Sequence, residues 1–429
     1  MKILDNPTEE ALNKALERPK LAQKDLSDLV SSIFDRIKGE GDAAVLEYAR
    51  KFDGLDGSDF TVSKEEINIA KNQLDPSLKE AIQKAAKNIT TFHEAQKEPV
   101  QVIETMPGVK CWRKSVGIDK VGLYIPGGTA PLFSTVLMLG IPAKIAGCKE
   151  IVLSTPANNE GIVHPAILYA ADLIGVTKII KLGGIQAIAA LTMGTASVPK
   201  VYKIFGPGNQ YVTAAKQYAQ SLGTGIDMPA GPSEVMVVAD KNANPAFLAA
   251  DLLSQAEHGN DSQVILLSTD ISILKKTEQE VQKQLDLLSR KDYAEKSLEF
   301  AKLIRIEKDK LVTIINEYAP EHLILATDFN AELIEGVTNA GSVFIGKYTP
   351  ESLGDYASGT NHTLPTNGFA KMYSGVSLDS FVKKITYQEV TEDGLRLIGP
   401  VVEKMAAAEE LTAHKNAVTL RLKELNNEL

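Results

Sequence analysis

The amino-acid sequence predicts an α/β protein with two doubly wound parallel-sheet domains, a helical N-terminal region and an extended helical C-terminal segment. Strand-like and helix-like runs alternate from 120 to 220, and the alternation restarts at Glu234 and continues to about 345. Alternating strands and helices with short connections are typical of a parallel sheet covered on both faces. With 429 residues, 44% of them hydrophobic, the chain is long enough for two or three domains.

The predicted elements follow one another closely in both domains. The first domain has strand 121–125, a helix from Pro131, strand 150–154, helix 166–173, strand 178–182, helix 185–191, strand 201–205 and helix 209–220. The second has strand 234–239, a helix from Pro245, strand 263–267, a long charged helix to about Arg305, strand 322–326, a further helix and strand 342–345. Met106-Pro-Gly and Met228-Pro-Ala-Gly-Pro232 interrupt the periodicity, and we interpret them as domain boundaries.

Helices are predicted at both ends of the chain. Residues 20–95 are typical of amphipathic helices rich in Lys and Glu, and beyond Pro400 the pattern predicts one long helix to the C-terminus. One stripe of that helix contains Ala406, Ala407, Leu411, His414 and Ala417. An apolar stripe with a histidine suits docking on another domain or subunit.

Charge and composition exclude several functions. The net charge is -9, and without a dense Lys/Arg block we expect neither a nucleic-acid surface nor an acidic-membrane surface. The uncharged stretch 121–143 is interrupted by Pro126, Pro131, Gly140 and Pro142, which favours a buried strand, loop and helix over a membrane span. We see no secretory signal and expect the two cysteines, Cys111 and Cys148, to be reduced, so a cytoplasmic location is expected.

Four of the six histidines lie in short segments that also hold an acid, an amide or a glycine, and the residues are His258, His322, His362 and His414. Histidine beside carboxyl and carboxamide oxygens can bind a divalent metal or move a proton near neutral pH. These segments are therefore the candidate chemistry of the chain.

A helix framed by Asn244-Pro245 and Gly259 is predicted to carry Gln255 and His258 in its last turn. Residues three apart lie on one face of a helix, so both side chains can converge, and the helix C-terminus favours a cation. Alone, the pair is a weak signal, and a capping or core histidine is the commoner explanation of such a pair.

Two further residues extend this pair to a candidate metal site. Asp355 follows a glycine in a segment of loop-like composition, and His414 lies on the terminal helix. Gln255, His258, Asp355 and His414 would make a mixed nitrogen and oxygen site for zinc or manganese. Because cysteine is absent from the set, a closed structural zinc knot is disfavoured.

Pro320-Glu321-His322 opens a predicted strand with two adjacent proton carriers. Side chains alternate between the faces of a strand, so both can reach one site only if the backbone turns there. One interpretation is a general base near pH 7. The other is a solvated glutamate beside a half-buried histidine.

Three glycine-rich loops follow predicted strands, although neither domain has Gly-x-Gly-x-x-Gly after a strand. They are Tyr124-Ile-Pro-Gly-Gly128, Gly183-Gly-Ile-Gln186 and Gly206-Pro-Gly-Asn209. Ligands of open α/β sheets bind at the carboxyl edge of the strands, so the loops predict a cofactor cleft there. Each loop singly could equally be a tight turn.

Longer motifs carry a resemblance to the histidinol dehydrogenase family through most of the chain. They are Gly41-Asp-Ala-Ala-Val-Leu-Glu-Tyr, Tyr124-Ile-Pro-Gly-Gly-Thr-Ala-Pro-Leu, Phe205-Gly-Pro-Gly-Asn, Ile226-Asp-Met-Pro-Ala-Gly-Pro-Ser-Glu, Asp251-Leu-Leu-Ser-Gln-Ala-Glu-His-Gly and Leu411-Thr-Ala-His-Lys-Asn. Ile185 and Thr363 are variations that leave the assigned roles intact. The resemblance implies oxidation of L-histidinol to L-histidine in two NAD-dependent steps through an aldehyde.

The resemblance also implies roles for individual residues. Zinc would be bound by Gln255, His258, Asp355 and His414. Proton transfer would belong to Glu321 and His322. NAD would contact Tyr124, Gln186 and Asn209. The substrate would contact the metal ligands together with Ser233, His322 and Glu409.

A domain division and an assembly follow from the same resemblance. An N-terminal helical arm would span 1–20, a substrate and metal domain 21–105 with 233–376, and an incomplete Rossmann-like NAD domain 106–232. A segment over 377–429 would cross to the partner of a homodimer, where His414 and Glu409 complete the site.

Two other functions compete with this prediction. One is a zinc hydrolase in which Glu321 activates a metal-bound water without a nicotinamide. The other is a two-domain protein that closes on a ligand without chemistry. NAD reduction in the presence of histidinol separates the first from a dehydrogenase, and loss of turnover in Glu321→Gln separates the second.

Overall fold

The computed structural model describes residues 1–18, 26–55, 59–127, 130–228 and 231–428. These fall into two units. The first comprises Met1–Gln96 with Ile118–Phe381, and the second comprises Lys97–Gly117 with Val382–Leu429. Gly128 of the first predicted glycine loop, Pro229-Ala230 of the second predicted boundary, and the expected boundary at residues 20 and 21 lie outside the described residues.

The first unit contains a parallel sheet of six strands in the order β1-β11-β10-β9-β12-β13. Its strands are β1 (Lys2–Asp5), β9 (Glu234–Ala239), β10 (Gln263–Ser268), β11 (Lys302–Arg305), β12 (His322–Ala326) and β13 (Ser342–Ile345). Every residue of β9 and β10 is buried, as expected for central strands covered on both faces. The strand order reverses direction between β9 and β12, so this pair forms the topological switch point.

The same unit contains a second parallel sheet of five strands in the order β6-β5-β4-β7-β8. Its strands are β4 (Lys120–Tyr124), β5 (Glu150–Ser154), β6 (Lys178–Ile180), β7 (Lys203–Phe205) and β8 (Gly225–Ile226). Here the order reverses between β4 and β7. Two open parallel sheets confirm the predicted α/β fold class.

Helices of the first unit cover both sheets. They are α1 (Glu9–Leu16), α2 (Ser27–Glu40), α3 (Asp42–Tyr48), α4 (Lys64–Gln73), α5 (Pro76–Glu94), α6 (Phe133–Ala146), α7 (Pro165–Ile174), α8 (Gly184–Met193), α9 (Gln210–Ser221), α10 (Pro245–Ala256), α11 (Ile271–Leu285), α12 (Lys291–Leu298), α13 (Leu311–Tyr318), α14 (Asn330–Gly336) and α15 (Glu351–Tyr356). Residues 134–143 of α6 are buried on all sides, which explains the uncharged stretch there. Among the described residues, none of the helices is both long enough and apolar enough to cross a membrane.

Several predicted elements differ from those observed. The N-terminal arm begins with strand β1, which pairs with β11, before its helix. The predicted long charged helix ending near Arg305 is instead α11, α12 and β11, because a turn over 286–290 separates the helices. Helices α2 to α5 pack on the layers of the five-stranded sheet, whereas the expected division assigned 21–105 to the other domain. The amphipathic pattern identifies an apolar face but not the sheet that covers it.

The second unit holds a three-stranded antiparallel sheet in the order β14-β3-β2 and two helices. Its elements are β2 (Val102–Met106), β3 (Val109–Gly117), β14 (Val382–Val390), α16 (Glu392–Ala408) and α17 (Thr412–Leu425). Met106-Pro-Gly is the turn between β2 and β3, with Gly108 at φ +77°, and not a domain boundary.

The prediction of a single C-terminal helix beyond Pro400 is wrong, because the chain forms two helices and the first begins before Pro400. Helix α16 begins before Pro400 and includes it, and the chain turns at Glu410, whose φ is +59°. The two helices then pack on each other. A proline in a helix removes one hydrogen bond without always ending the helix, which is why Pro400 gave a misleading signal.

Gly206 shows how closely β4 and β7 approach each other. Its φ is +125°, and a Cβ at this position would lie 2.0 Å from the carbonyl oxygen of Tyr124. Gly223 also has a positive φ, +90°, but a Cβ there would meet no atom within 4 Å.

We expect Gly206→Ala to lower the free energy of unfolding by more than about 3 kcal/mol, because a backbone clash adds to the strain of a positive φ. Gly223→Ala should cost about 1 kcal/mol, the strain alone. Urea denaturation of both variants measures the difference. Equal losses would show that the close approach of the two strands contributes nothing.

Candidate active site

The proton-transfer pair predicted from the sequence lies at the amino ends of β9 and β12. His322 is the first residue of β12, Glu321 precedes it, and Glu234 is the first residue of β9. Glu234 is 2% exposed, His322 4% and Glu321 6%. The alternative of a solvated glutamate beside a half-buried histidine is therefore wrong.

The main chain of Glu234 holds both members of the pair. Its N–H donates to Glu321 Oε2 at 2.8 Å, and its carbonyl oxygen lies 3.1 Å from His322 Nδ1. A carbonyl oxygen can only accept, so Nδ1 carries the proton in the neutral ring and Nε2 does not. Glu321 Oε2 lies 3.6 Å from the same Nδ1.

A turn of the backbone makes this arrangement possible, as the sequence required. Ala319 has a φ of +53° and Glu321 lies in a bend just before the strand. The carboxylate of Glu321 therefore lies beside the ring of His322, although the two residues are consecutive.

The electrostatic environment of His322 is dominated by acids. Burial alone lowers its pKa, but the charges of Glu321, Asp355 and Glu351 outweigh burial and raise the pKa well above its usual value. Its Nε2 lies 3.4 Å from Asp355 Oδ1 and, among the described residues, has no hydrogen-bond partner. These acids therefore stabilise the positive charge of the protonated ring.

Gln255 lies in the last turn of α10 and faces Glu351. With its amide nitrogen turned toward that carboxyl group, Gln255 donates to both oxygens at 3.0 and 3.1 Å, and its own oxygen accepts from the Glu234 N–H at 3.2 Å. Ser254 Oγ donates to Glu351 Oε1 at 2.8 Å. Burial raises the pKa of Glu351 to about 8, and the nearby charge of Asp355 adds to the rise.

The other two predicted metal ligands of the first unit lie close to this group. Helix α10 begins as predicted, with the Asn244 side chain accepting from Ala246 N at 3.0 Å, but ends at Ala256. His258 therefore lies beyond the last turn, which corrects its predicted position. Asp355 lies in helix α15 rather than in a loop. Burial works to raise the pKa of Asp355, but His322 together with His362 and His258 lowers it.

The donor types of the predicted set are ones that zinc accepts, but three of the four residues belong to the first unit and His414 to the second, so the zinc site stays a prediction. Among the described residues, no group of three His, Cys, Asp or Glu side chains is arranged to hold a metal ion. The predicted set does not need such a group, because one of its donors is the Gln255 amide. Imidazole, carboxylate and carboxamide are all zinc ligands, and the unpartnered Nε2 of His322 borders the same space.

The ring of His362 contacts the main chain of Asp355. Its Nδ1 lies 2.8 Å from the carbonyl oxygen of Asp355, and its Nε2 lies 3.1 Å from Thr135 Oγ1. The sequence assigned no catalytic or metal-binding role to His362, and the structure shows that it binds the main chain of Asp355.

The remaining predicted substrate residues lie in both units. Ser233 precedes β9, and its carbonyl oxygen accepts from Gln263 N at 3.0 Å. Glu409 caps the C-terminal end of α16, and His414 lies in the first turn of α17. Both are exposed within the second unit. Their roles stay predictions.

The glycine loops predicted to form a cofactor cleft follow β4, β6 and β7. These strands are parallel in one sheet, so their carboxyl ends share an edge, as predicted. Helices α8 and α9 begin at the same edge, at Gly183 and Asn209. Helix N-termini favour phosphate groups.

The three predicted NAD residues have different surroundings at this edge. Tyr124 is buried, which raises its pKa to about 12, and its hydroxyl oxygen accepts from Gly184 N at 3.1 Å. Gln186 is buried and donates to Asp53 Oδ2 at 2.9 Å. Asn209 is exposed, and its Oδ1 accepts from Tyr211 N at 3.0 Å as the N-cap of α9.

Four residues of these networks were missed from the sequence, and they are Arg18, Asp53, Glu234 and Glu351. Glu234 lies in a recognised motif, Pro232-Ser-Glu, but it is followed by a continuous apolar run. The sequence therefore indicated only the start of an ordinary buried strand there. Asp53 is 133 positions from its partner Gln186, and Glu351 is 97 positions from its partner Ser254. No local sequence pattern marks either acid.

Two open parallel sheets, each with a central reversal of strand order, and a buried cluster of histidine and carboxylates define an α/β enzyme. Comparison with known proteins narrows this class. A family model described as histidinol dehydrogenase matches residues 16–422. The chain belongs to the histidinol dehydrogenase family.

Individual relatives match over the full length. Histidinol dehydrogenase of Bacteroides thetaiotaomicron is 59% identical over 426 residues, 99% of this chain and 100% of that protein. That of Campylobacter jejuni subsp. jejuni is 53% identical over 428 residues, 99% of both. The crystal structure of histidinol dehydrogenase from Elizabethkingia anophelis superposes with a TM-score of 0.98 at 56% identity, covering 99% of each chain.

A distant likeness concerns the fold alone. An acetylating aldehyde dehydrogenase from Geobacillus thermoglucosidasius is 17% identical with a TM-score of 0.50, covering 88% of this chain and 96% of that one. Membership of a dehydrogenase family favours the dehydrogenase prediction over the zinc hydrolase and the non-catalytic binding protein.

Asp251 provides a test of the buried acids around α10. Burial raises its pKa from 3.8 to about 7. Because the folded-state pKa is the higher one, the folded protein binds more protons than the unfolded chain between about pH 4 and 7. The resulting stability is complete below about pH 4 and is lost as the pH rises through 7.

We therefore expect Asp251→Asn to flatten the fall of stability with pH by up to about 1.4 kcal/mol per pH unit in that window. Urea midpoints of the chelator-treated protein from pH 4.5 to 7.5 measure the slope. The matched control is Asp35→Asn, an exposed aspartate within α2, which should leave the slope unchanged. An unchanged slope in Asp251→Asn contradicts the prediction.

Proposed function

We propose that this chain oxidises L-histidinol to L-histidine in two NAD-dependent steps through an aldehyde, with zinc at the site. One observation carries the proposal at the level of chemistry: Glu321 and His322 are buried side by side and are both held by the main chain of Glu234. Two fixed proton carriers suit a reaction that removes protons in each of two successive oxidations. Full-length similarity to the relatives named above supports the substrate.

Gln255, His258 and Asp355 would hold zinc together with His414 of the partner subunit. Bound zinc would supply a Lewis acid and an anchor for the imidazole and amine of histidinol. Ser233 and Glu409 would add polar contacts to the substrate. Glu351 would keep the Gln255 amide from rotating, since that amide faces both of its oxygens.

His322 would accept the hydroxyl proton of the substrate at Nε2. Its Nδ1–H is fixed on the carbonyl oxygen of Glu234, so the other nitrogen carries the lone pair. Once the ring holds that proton it is cationic, and the acids around it stabilise the charge. The hydride would leave to NAD bound at Tyr124, Gln186 and Asn209.

Glu321 would activate the water that hydrates the aldehyde before the second oxidation. A cysteine nucleophile is the alternative for this step. Burial raises the pKa of the Cys148 thiol to about 11, which makes it a poor nucleophile. Cys111 lies in β3 of the second unit. These facts favour the hydrated aldehyde.

The assembly that we propose is a homodimer in which the C-terminal segment serves the partner's site. The second unit supports this, because Val109 and Ala406 are the only buried hydrophobic side chains among its described residues and the others are half-buried or exposed. Exposed apolar residues on its sheet and helices include Val102, Ile103, Ile385, Tyr387, Leu397, Val401 and Met405. So little burial cannot stabilise a small unit alone. We propose no nucleic-acid or membrane partner, and a cytoplasmic location suits the two free thiols.

Glu321→Gln should lower the rate of the aldehyde step by about 10² to 10⁴-fold and affect the alcohol step less, because the amide cannot take a proton from water. Single-turnover NADH formation at 340 nm from histidinol and from the aldehyde measures each step. The matched control is Glu317→Gln, an exposed glutamate on α13, which should retain both rates. A double variant of Cys111→Ala and Cys148→Ala that lost only the aldehyde step would instead implicate a thiol.

Mixing two inactive variants tests the proposed crossover. Subunit exchange between His414→Ala and Glu321→Gln would create mixed dimers with one intact site, so activity should rise to about a quarter of the wild-type value. Each variant exchanged with itself is the control, and zinc content should fall in His414→Ala alone. Activity that stays absent after verified exchange would place His414 in the site of its own chain.

A further inference from the structure

Arg18 reaches the amino end of β9 from the end of the N-terminal region. Its Nε donates to Glu234 Oε1 and its Nη2 donates to Glu234 Oε2 at 2.9 Å, so the guanidinium clamps the carboxylate with both branches. Bidentate pairs of this kind fix geometry as well as charge. The side chain of Arg18 is 21% exposed and that of Glu234 is 3% exposed.

A second set of contacts fixes Arg18 itself. Its Nη2 also donates to the carbonyl oxygen of Tyr318 at 2.8 Å, and its Cζ lies 4.0 Å from the centre of the Tyr318 ring. Tyr318 Oη donates to Gln263 Oε1 at 2.7 Å, and Gln263 Nε2 donates to the carbonyl oxygen of Glu17 at 3.2 Å. The arginine is therefore held on one side by the segment that carries it and on the other by α13.

The side chain of Glu234 is held in place by its partners, and the main chain of Glu234 binds the proton-transfer pair. Asn367 N donates to Oε1 at 2.9 Å, opposite the guanidinium. The N–H and carbonyl oxygen of Glu234 bind Glu321 and His322. Any shift of the main chain at Glu234 would thus move both groups together.

The charge of Arg18 is needed as well as its shape. Burial raises the pKa of Glu234 and the negative charge of Glu321 adds to the rise, whereas the guanidinium of Arg18 opposes both. Without a cation, two carboxylates would repel each other in a buried space, which is costly.

We propose that Arg18 is a positioning residue for the oxidation: by clamping Glu234 it sets the places of Glu321 and His322. The proposal rests on the roles proposed above for Glu321 and His322. It assigns a part in the reaction to the N-terminal region, in which the sequence showed no chemistry.

The test compares substitutions of Arg18 in the full-length, zinc-loaded enzyme. Arg18→Met keeps the length of the side chain but removes the clamp, and we expect kcat to fall by about 10²-fold, as a displacement near 1 Å would cause. KM for histidinol and zinc per subunit should change less than about twofold, because Arg18 contacts none of the proposed zinc ligands in its described contacts. Arg18→Lys should recover part of kcat, since lysine restores the positive charge but not the two-branched guanidinium.

A matched control comes from the opposite edge of the same sheet. Arg305 at the end of β11 also pairs with two acids, Asp5 and Glu307. Arg305→Met removes an arginine and its ion pairs but should retain the wild-type kcat. A loss of kcat in Arg305→Met equal to that in Arg18→Met would overturn the proposal.

A double variant covers the case in which Arg18→Met folds poorly. Arg18→Met with Glu234→Gln removes the unpaired buried charge, so its thermal midpoint should return toward that of the wild type, while kcat stays low because no clamp remains. If kcat recovers together with the midpoint, the role of Arg18 is structural and the proposal fails.

Parallel measurements separate this proposal from the one on which it rests. Wild-type kcat in Glu321→Gln and His322→Asn would refute the proposed catalytic pair. A large loss in those variants with full kcat in Arg18→Met would refute only the positioning role.

Discussion

The burial of Glu234 at the amino end of β9 is the constraint on which the candidate active site depends. A carboxylate in that position is costly unless every oxygen has a partner. Arg18 and Asn367 provide the partners of the side chain. The first residue of a central strand also has main-chain groups to satisfy, and Glu321 and His322 satisfy them. The same hydrogen bonds that complete the strand end therefore fix the two groups assigned to proton transfer.

The candidate residues of the two sheets in the first unit lie at opposite sheet edges. The loops after β4, β6 and β7 gather at the carboxyl edge of the five-stranded sheet, where ligands of open α/β sheets usually bind. Glu234 and His322 instead start their strands. Helix α10 explains the difference, because it runs back from the end of β9 and brings Gln255 to the amino edge beside Glu351. The switch point between β9 and β12 corresponds to the one between β4 and β7 in the five-stranded sheet, but here the candidate residues lie at the amino ends of the strands.

The sequence predicted the parallel sheets and most of the site because these depend on local signals. Strands buried on both faces are continuous apolar runs, and Asn244-Pro245 starts a helix wherever it lies. Distant partners leave no such signal. The sequence could not show which sheet α2 to α5 cover, nor that the chain turns at Glu410 rather than at Pro400. Arg18 and Glu234 are 216 positions apart, so their pairing is a property of the fold. The candidate ligands were indicated by the resemblance to a family, whereas the hydrogen-bond networks that hold them are visible only in the structure.

The acids around His322 are divided by their environments into two kinds. Burial raises the pKa of Glu351 to about 8, so Glu351 favours the neutral form near neutral pH, and it raises the pKa of Asp251 to about 7, so Asp251 is about half ionised there. Burial also works to raise the pKa of Asp355, but the nearby ring of His322 lowers it. Pairs of acids whose environments separate their pKa values are how one site assigns different tasks to the same functional group. A neutral Glu351 can support Gln255 without adding charge, and the ionised Asp355 is left to face the histidine.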